Sequence, residues 1–167
     1  VELCEALKTN SSYSDINGIS YFDKAEAVKT NKRINIKDLE SLPMADWSVI
    51  DIEKYRRIWK SSKFPFTLNI STTRGCPFKC NWCAKPIYGN RYNSRAPEHV
   101  VQEIEFLTSN YDVKYFWITD DIFGLKPGWV KAFRKLIQEK NLNIHYKIQS
   151  RADLHFDLLH SLYNFET

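Results

Sequence analysis

The spacing of apolar residues becomes regular near residue 64. Before that point it is broken. Residues 1–9 place Leu3 and Leu7 at i, i+4 spacing and read as the end of a helix. Residues 10–17 form a polar loop. Ile19–Phe22 and Ala27–Lys29 predict a small hairpin about Asp23 and Lys24. Residues 30–62 are mixed, with Pro43 as a break, and Trp47–Tyr55 predicts a short helix and a loop.

Beyond residue 64, Phe66–Ser71 alternates as a strand does. Pro97 suits the first turn of a helix, and Val101, Ile104 and Leu107 follow on one face. Tyr115–Thr119 is an apolar run of strand length. Trp129, Val130, Phe133, Leu136 and Ile137 share a helical face. Ile144–Ile148 predicts a third strand, and Leu154, Leu158, Leu159 and Leu162 a third helix. The order β-α-β-α-β-α predicts an α/β fold with a parallel sheet and right-handed crossovers. Three such units fit the start of a barrel or of an open doubly wound sheet. Both place ligand sites at the carboxyl ends of the strands.

Composition narrows the function. A length of 167 residues suits one domain with an accessory segment. Aromatic residues make up 14%, enough for a large core or for stacking on planar ligands. The net charge of +4 lacks the clustered basic character of a dedicated nucleic-acid binder, so no nucleic-acid partner is expected. No apolar run reaches the roughly 20 residues that span a bilayer. The first residues, VELCEALK, lack the basic start and apolar stretch of a signal peptide. We expect a cytoplasmic protein. Because the chain starts within a helix-like stretch and stops after another, we expect a fragment of something longer.

Four cysteines carry the sharpest signal. Cys4 is remote, whereas Cys76, Cys80 and Cys83 lie within eight residues, directly after the first predicted strand. A disulfide framework uses an even, dispersed set, so this distribution fits a metal site in a reducing compartment better. Iron–sulfur clusters are held by thiolates, usually four. Three leave one iron open, and an open position marks a catalytic centre, as it does for zinc. A structural zinc site needs a fourth Cys or His. No second CxxC or HxxxH is present, and His99 lies on a predicted helix. A zinc module and a plain electron-transfer cluster stand as the alternatives. The four histidines lack ligand spacing and read as surface or helix-face residues.

Two further strand ends carry candidates. Asp120 and Asp121 follow the second strand, and adjacent carboxylates repel, so the pair needs a reason. One acid could accept a hydrogen bond from a ligand's ammonium group; a helix cap or a solvated loop is the other reading. Gln149, Ser150 and Arg151 end the third strand. Arg151 could pair with a carboxylate, and Ser150 could bond a ligand or cap the next helix. Lys147 and Gln149 alternate with Ile148 and would point into a barrel. Arg74 stands beside the cysteine loop, as a neighbour of the bound centre or as a solvated charge. Residues 85–89, with Arg91 and Arg95, complete that loop.

The CxxxCxxC spacing, Trp82 before the last cysteine, the preceding strand and the following βαβα pattern resemble the radical S-adenosylmethionine superfamily. The resemblance implies a 4Fe–4S cluster with one iron on each of Cys76, Cys80 and Cys83. The fourth iron would chelate the amino and carboxylate groups of S-adenosylmethionine. Trp82 would pack near the adenine, or plug the loop. Asp120 and Asp121 would replace the family's Gly-Gly-Glu segment, and Ser150 and Arg151 would contact the ligand. Reductive cleavage of the sulfonium would give a 5′-deoxyadenosyl radical that abstracts hydrogen from a small-molecule substrate. A flavodoxin or ferredoxin would supply the electron.

Residues 17–21, 38–43, Trp47 and 51–55 resemble the linker of the cobalamin-linked branch. On that resemblance residues 1–9 are the last helix of a truncated cobalamin-binding-like domain. Residues 10–63 are a linker, and 64–167 the N-terminal half of a partial TIM-type barrel. An Asp-x-His-x-x-Gly cobalamin motif is not in the sequence, so cobalamin is an expectation for the full-length protein. Methyl transfer and ring formation are both open, and a radical methylthiotransferase is the runner-up enzyme. With the later strands missing, these residues alone should bind S-adenosylmethionine weakly.

Overall fold

The computed structural model describes residues 1–83 and 89–153. The chain divides into two units, Val1–Ile36 and Lys37–Thr167. The boundary falls inside the segment 10–63 that the sequence suggests as one linker.

In the first unit, α1 (Glu2–Thr9) ends at Asn10, whose left-handed backbone suits asparagine at a helix C-terminus. A hairpin of β1 (Ser20–Asp23) and β2 (Glu26–Lys29) pairs Ser20 with Lys29 and Asp23 with Glu26. Its turn is therefore Lys24–Ala25, one residue later than the sequence suggests. Both turn residues have positive φ, at 45° and 76°, which matches the right-handed twist of a two-residue hairpin. Arg33 closes the unit, donating from Nε to the Asn17 carbonyl at 3.1 Å and pairing with Glu2.

The second unit is the α/β part. A 3-10 turn (Trp47–Val49) is capped by Asp46, and α2 (Ile52–Trp59) by Asp51, whose carboxylate accepts from the Lys54 amide at 2.9 Å. Three parallel strands follow: β3 (Thr67–Ile70), β6 (Tyr115–Ile118) and β7 (His145–Lys147), in the order β3-β6-β7. Helices α3 (Pro97–Tyr111) and α4 (Pro127–Glu139) are the crossovers, each with proline in its first turn. Two short strands, β4 (Thr73–Arg74) and β5 (Asn93–Ser94), pair antiparallel. The third helix expected over Leu154–Leu162 lies outside the described residues, as do residues 84–88 of the cysteine loop.

The core lies between the sheet and the two helices. Val100, Val101, Ile104 and Leu107 of α3 and Val130, Phe133 and Ile137 of α4 meet Ile70, Phe116 and Ile118. Phe123, Trp129, Phe133 and Tyr146 add an aromatic cluster, with the Trp129 and Phe133 rings stacked at 5.3 Å. The opposite face of the sheet is polar and exposed. Register aligns Asn69, Trp117 and Lys147 across it, with the Lys147 ammonium 5.2 Å from the Trp117 ring.

Asp120 fastens the sheet to the chain that leaves β3. It is buried, and its Oδ1 accepts from the backbone amides of Thr72 at 2.7 Å and Thr73 at 3.0 Å. Its Oδ2 meets the Thr72 hydroxyl. Burial holds its carboxyl above the usual range, against these hydrogen bonds. The neutral form is thus favoured by folding, and the associated stability is present at low pH and lost as pH rises through the folded pKa.

Asp120→Ala should cost roughly 2–4 kcal/mol in denaturant unfolding, because two buried amides lose their acceptor. Asp120→Asn, which keeps one acceptor oxygen and adds donors toward Thr72, should cost less and flatten the pH dependence. Ala25→Gly should relieve the left-handed turn by about 0.5–1 kcal/mol, read as slower amide exchange in the β1–β2 ladder.

Candidate functional site

The carboxyl ends of the parallel strands gather the chemistry. Beyond Ile70 the chain can no longer pair with β6 as a strand, and Asp120 takes over its amides. The β4–β5 pair then clamps the base of an excursion that holds all three clustered cysteines: Thr73 faces Ser94 and Arg74 faces Asn93. Gly75 is buried and has φ of 83°, a conformation that costs glycine little and bends the chain into the loop.

The loop itself presents three cysteine side chains within eight residues. Cys76 and Cys80 are partly buried, Cys83 is exposed, and all three are in the thiol form rather than in a disulfide. A turn brings the Cys83 amide to the Cys80 carbonyl at 3.2 Å. Among the described residues no group of three or more Cys, His, Asp or Glu side chains is drawn together about one point. A cluster takes one thiolate per iron and so accepts a wider spread. Three thiols on one loop fit that group by donor type and number. Cys4 is exposed and belongs to the other unit.

The expected ligand residues separate by environment. Trp82 is 88% exposed. Asp120 is enclosed and engaged by Thr72 and Thr73, whereas Asp121 beside it is exposed. Ser150 donates its hydroxyl to the Phe123 carbonyl at 2.7 Å, and the Phe123 amide donates to the Gln149 carbonyl at 2.8 Å. These two bonds tie the loop after β6 to the end of β7. The Arg151 guanidinium lies over the Phe78 ring and grips Asp153. Lys147 stands on the exposed face of the sheet, over Trp117.

Several participants were not singled out in the sequence. Tyr92 directly precedes β5, and burial together with the Asp120 charge pushes its hydroxyl up to about 12. Arg95 closes the base of the loop, its backbone amide donating to the Thr72 carbonyl at 2.9 Å, and its side chain does more. Its Nη1 donates to the Ser71 carbonyl at 2.9 Å and to Glu103 at 2.7 Å, and Glu103 accepts from the Trp47 indole at 3.2 Å. Glu103 is buried on α3, where an acid in an apolar stripe was the available signal. His99, half-exposed on α3, pairs with Glu40. A cleft of about 480 Å³ beside β3 is lined by Asn69, Arg74, Arg95, His99, Glu103 and Trp47, among others. It shares Thr73 and Arg74 with the base of the cysteine loop.

Comparison with known proteins places this geometry. The radical SAM superfamily description matches residues 70–163. The chain is 27% identical over 153 residues to the uncharacterized methyltransferase PH0819 of Pyrococcus horikoshii, covering 91% of this chain and 32% of that protein. It is 33% identical over 138 residues to the anaerobic magnesium-protoporphyrin IX monomethyl ester cyclase of Rubrivivax gelatinosus, covering 82% and 24%. Among solved structures, the cobalamin-dependent S-adenosylmethionine radical enzyme OxsB, bound to aqua-cobalamin and S-adenosylmethionine, superposes with a TM-score of 0.73 at 18% identity. That match covers 96% of this chain and 24% of OxsB. The radical S-adenosylmethionine methyltransferase TsrM of Kitasatospora setae gives 0.65, covering 96% and 34%. The chain thus spans about a third or less of the length of these relatives. The family match runs from the end of β3 through the cysteine loop, β6 and β7 and covers more than half of the sequence: this chain belongs to the radical SAM superfamily.

Proposed function

We propose that these residues form the cluster-bearing part of an enzyme that cleaves S-adenosylmethionine reductively and starts radical chemistry on a small-molecule substrate. The observation that carries the reading is the loop of three cysteine thiols at the carboxyl end of β3, within a family match over residues 70–163. Cys76, Cys80 and Cys83 would hold a 4Fe–4S cluster. When bound, that cluster supplies an electron to the sulfonium and an open iron for the methionine end of the ligand.

This chain's own residues supply the setting. The Asp120 and β4–β5 fastenings keep the loop at the mouth of the sheet. Asp121 is the acid left exposed at the second strand end, so we assign it the ligand's ammonium. Trp82, exposed on the loop, offers a ring to the adenine. Ser150 and Arg151 lie at the third strand end, beside the same loop. The polar face of Asn69, Trp117 and Lys147 suits the inside of a barrel, of which residues 64–167 would form the first half.

Similarity to a methyltransferase and to a ring-forming cyclase supports methyl transfer or ring formation as the outcome. The OxsB and TsrM structures, which carry cobalamin, support the reading of residues 1–9 as the last helix of a cobalamin-binding-like domain in the full-length protein, with 10–63 as linker. The expected electron donor is a flavodoxin or ferredoxin.

Anaerobic reconstitution with iron and sulfide should give a brown protein whose reduced electron-spin signal changes on adding S-adenosylmethionine; a colourless protein holding one zinc would end the reading. Cys80→Ala should abolish the colour. In the reconstituted protein, Asp121→Asn should weaken S-adenosylmethionine binding about 10-fold or more, the loss expected for a hydrogen bond to a charged group. Equilibrium binding monitored by that electron-spin change measures it.

A further inference from the structure

Arg151 and Phe78 are far apart in sequence yet meet at the loop. The guanidinium carbon lies 4.2 Å from the Phe78 ring centroid, within the range of a cation–π contact. Its Nε and Nη2 donate to the two carboxylate oxygens of Asp153 at 2.7 and 2.6 Å. One face of the guanidinium therefore covers Phe78, and its side-on fork is closed on a carboxylate. Phe78 stands between Cys76 and Cys80 in the chain, so the contact with its ring sets the Arg151 cation beside the segment that carries both thiols. The strand end behind Arg151 is held by the Gln149 and Ser150 bonds to Phe123.

We propose that Arg151 is a positioning residue: it clamps the cysteine loop through Phe78 and sets the charge beside Cys76 and Cys80, and it does not bind the carboxylate of S-adenosylmethionine. The inference rests on the reading of the loop as a cluster ligand. The physical grounds are direct. The side-on edge of the guanidinium is already engaged by Asp153 and one face by Phe78, which holds the group at the loop and offsets part of its charge before any ligand arrives. A fixed cation beside thiolates stabilises the more negative, reduced centre, and net charge is one of the levers on cluster potential. Asp153 orients the guanidinium and opposes part of its charge. Phe78 couples the position of Arg151 to the backbone that carries the ligands.

The test uses the reconstituted chain and three readouts: the rate of iron loss to a chelator, the midpoint potential by electron-spin-monitored titration, and the S-adenosylmethionine dissociation constant. Phe78→Leu and Arg151→Met should each speed iron loss about 2–5-fold, the equivalent of an exposed cation–π contact. The double variant should be no faster than the single ones, since both remove one contact. Arg151→Met should move the potential more negative and Asp153→Asn more positive. Arg151→Lys, which keeps the charge but loses the planar fork, should speed iron loss while leaving the potential near wild type. A structural role alone would not give shifts of opposite sign from Arg151 and Asp153.

Two results would overturn the clamp. One is Arg151→Met with wild-type iron retention and potential. The other is Arg151→Met that weakens S-adenosylmethionine binding 10-fold while Phe78→Leu leaves it unchanged, which would make Arg151 a direct ligand. Wild-type chain that takes up no iron would overturn the cluster reading itself, and the clamp with it. Iron uptake with unresponsive variants would sink the clamp alone.

Discussion

The site depends on one carboxylate accepting two backbone amides. Where β3 ends, the chain turns away from the sheet and the amides of Thr72 and Thr73 lose their strand partners. A buried amide without an acceptor costs on the order of 1–3 kcal/mol. Asp120, delivered by the end of β6, supplies the missing acceptor. The arrangement carries a cost of its own, because burial disfavours the charged form. It remains because the amides and the Thr72 hydroxyl meet the carboxyl on both oxygens. The β4–β5 ladder and the turn at Gly75 follow from this starting point, and the cysteine loop inherits its position from them.

A second fastening works at the other side of the loop. The Phe123 amide and carbonyl bond the end of β7, so the segment after β6 cannot drift from the third strand. Phe123 is itself locked in the aromatic cluster with Trp129 and Phe133. Packing in the core is thereby transmitted to the rim. The loop is irregular, but its supports are strand ends and buried rings. That is the usual division between a rigid scaffold and a functional loop. The helices cover one face of the sheet and leave the other to Asn69, Trp117 and Lys147, a face chemically suited to a polar ligand.

Acids in this chain show how environment separates residues of one type. Asp120 and Asp121 are neighbours, yet one is enclosed and the other exposed. Glu103 sits on the buried stripe of α3 and is met by Arg95 and the Trp47 indole. Charge inside an apolar boundary survives only where such partners are present. The same logic holds for Arg95, whose guanidinium links the Ser71 carbonyl to Glu103 of α3.

Local features were legible in the sequence because their causes are local. Three thiols in CxxxCxxC need only spacing. Pro97 starts its helix because its ring presets φ and its missing amide donor is not needed there. Strand and helix order followed from apolar period, and the hairpin was placed to within a residue at its turn. The partners of Asp120, the network of Arg95, Glu103 and Trp47, and the contact of Arg151 with Phe78 had no such local cause. Each joins residues that are distant along the chain and adjacent only once β3, β6 and β7 lie in register. The sequence by itself determined the spacing of the three clustered thiols and the order of the elements that present them. Only the tertiary structure decided which acid is exposed and which arginine touches the loop, because burial and contact arise from packing and not from spacing.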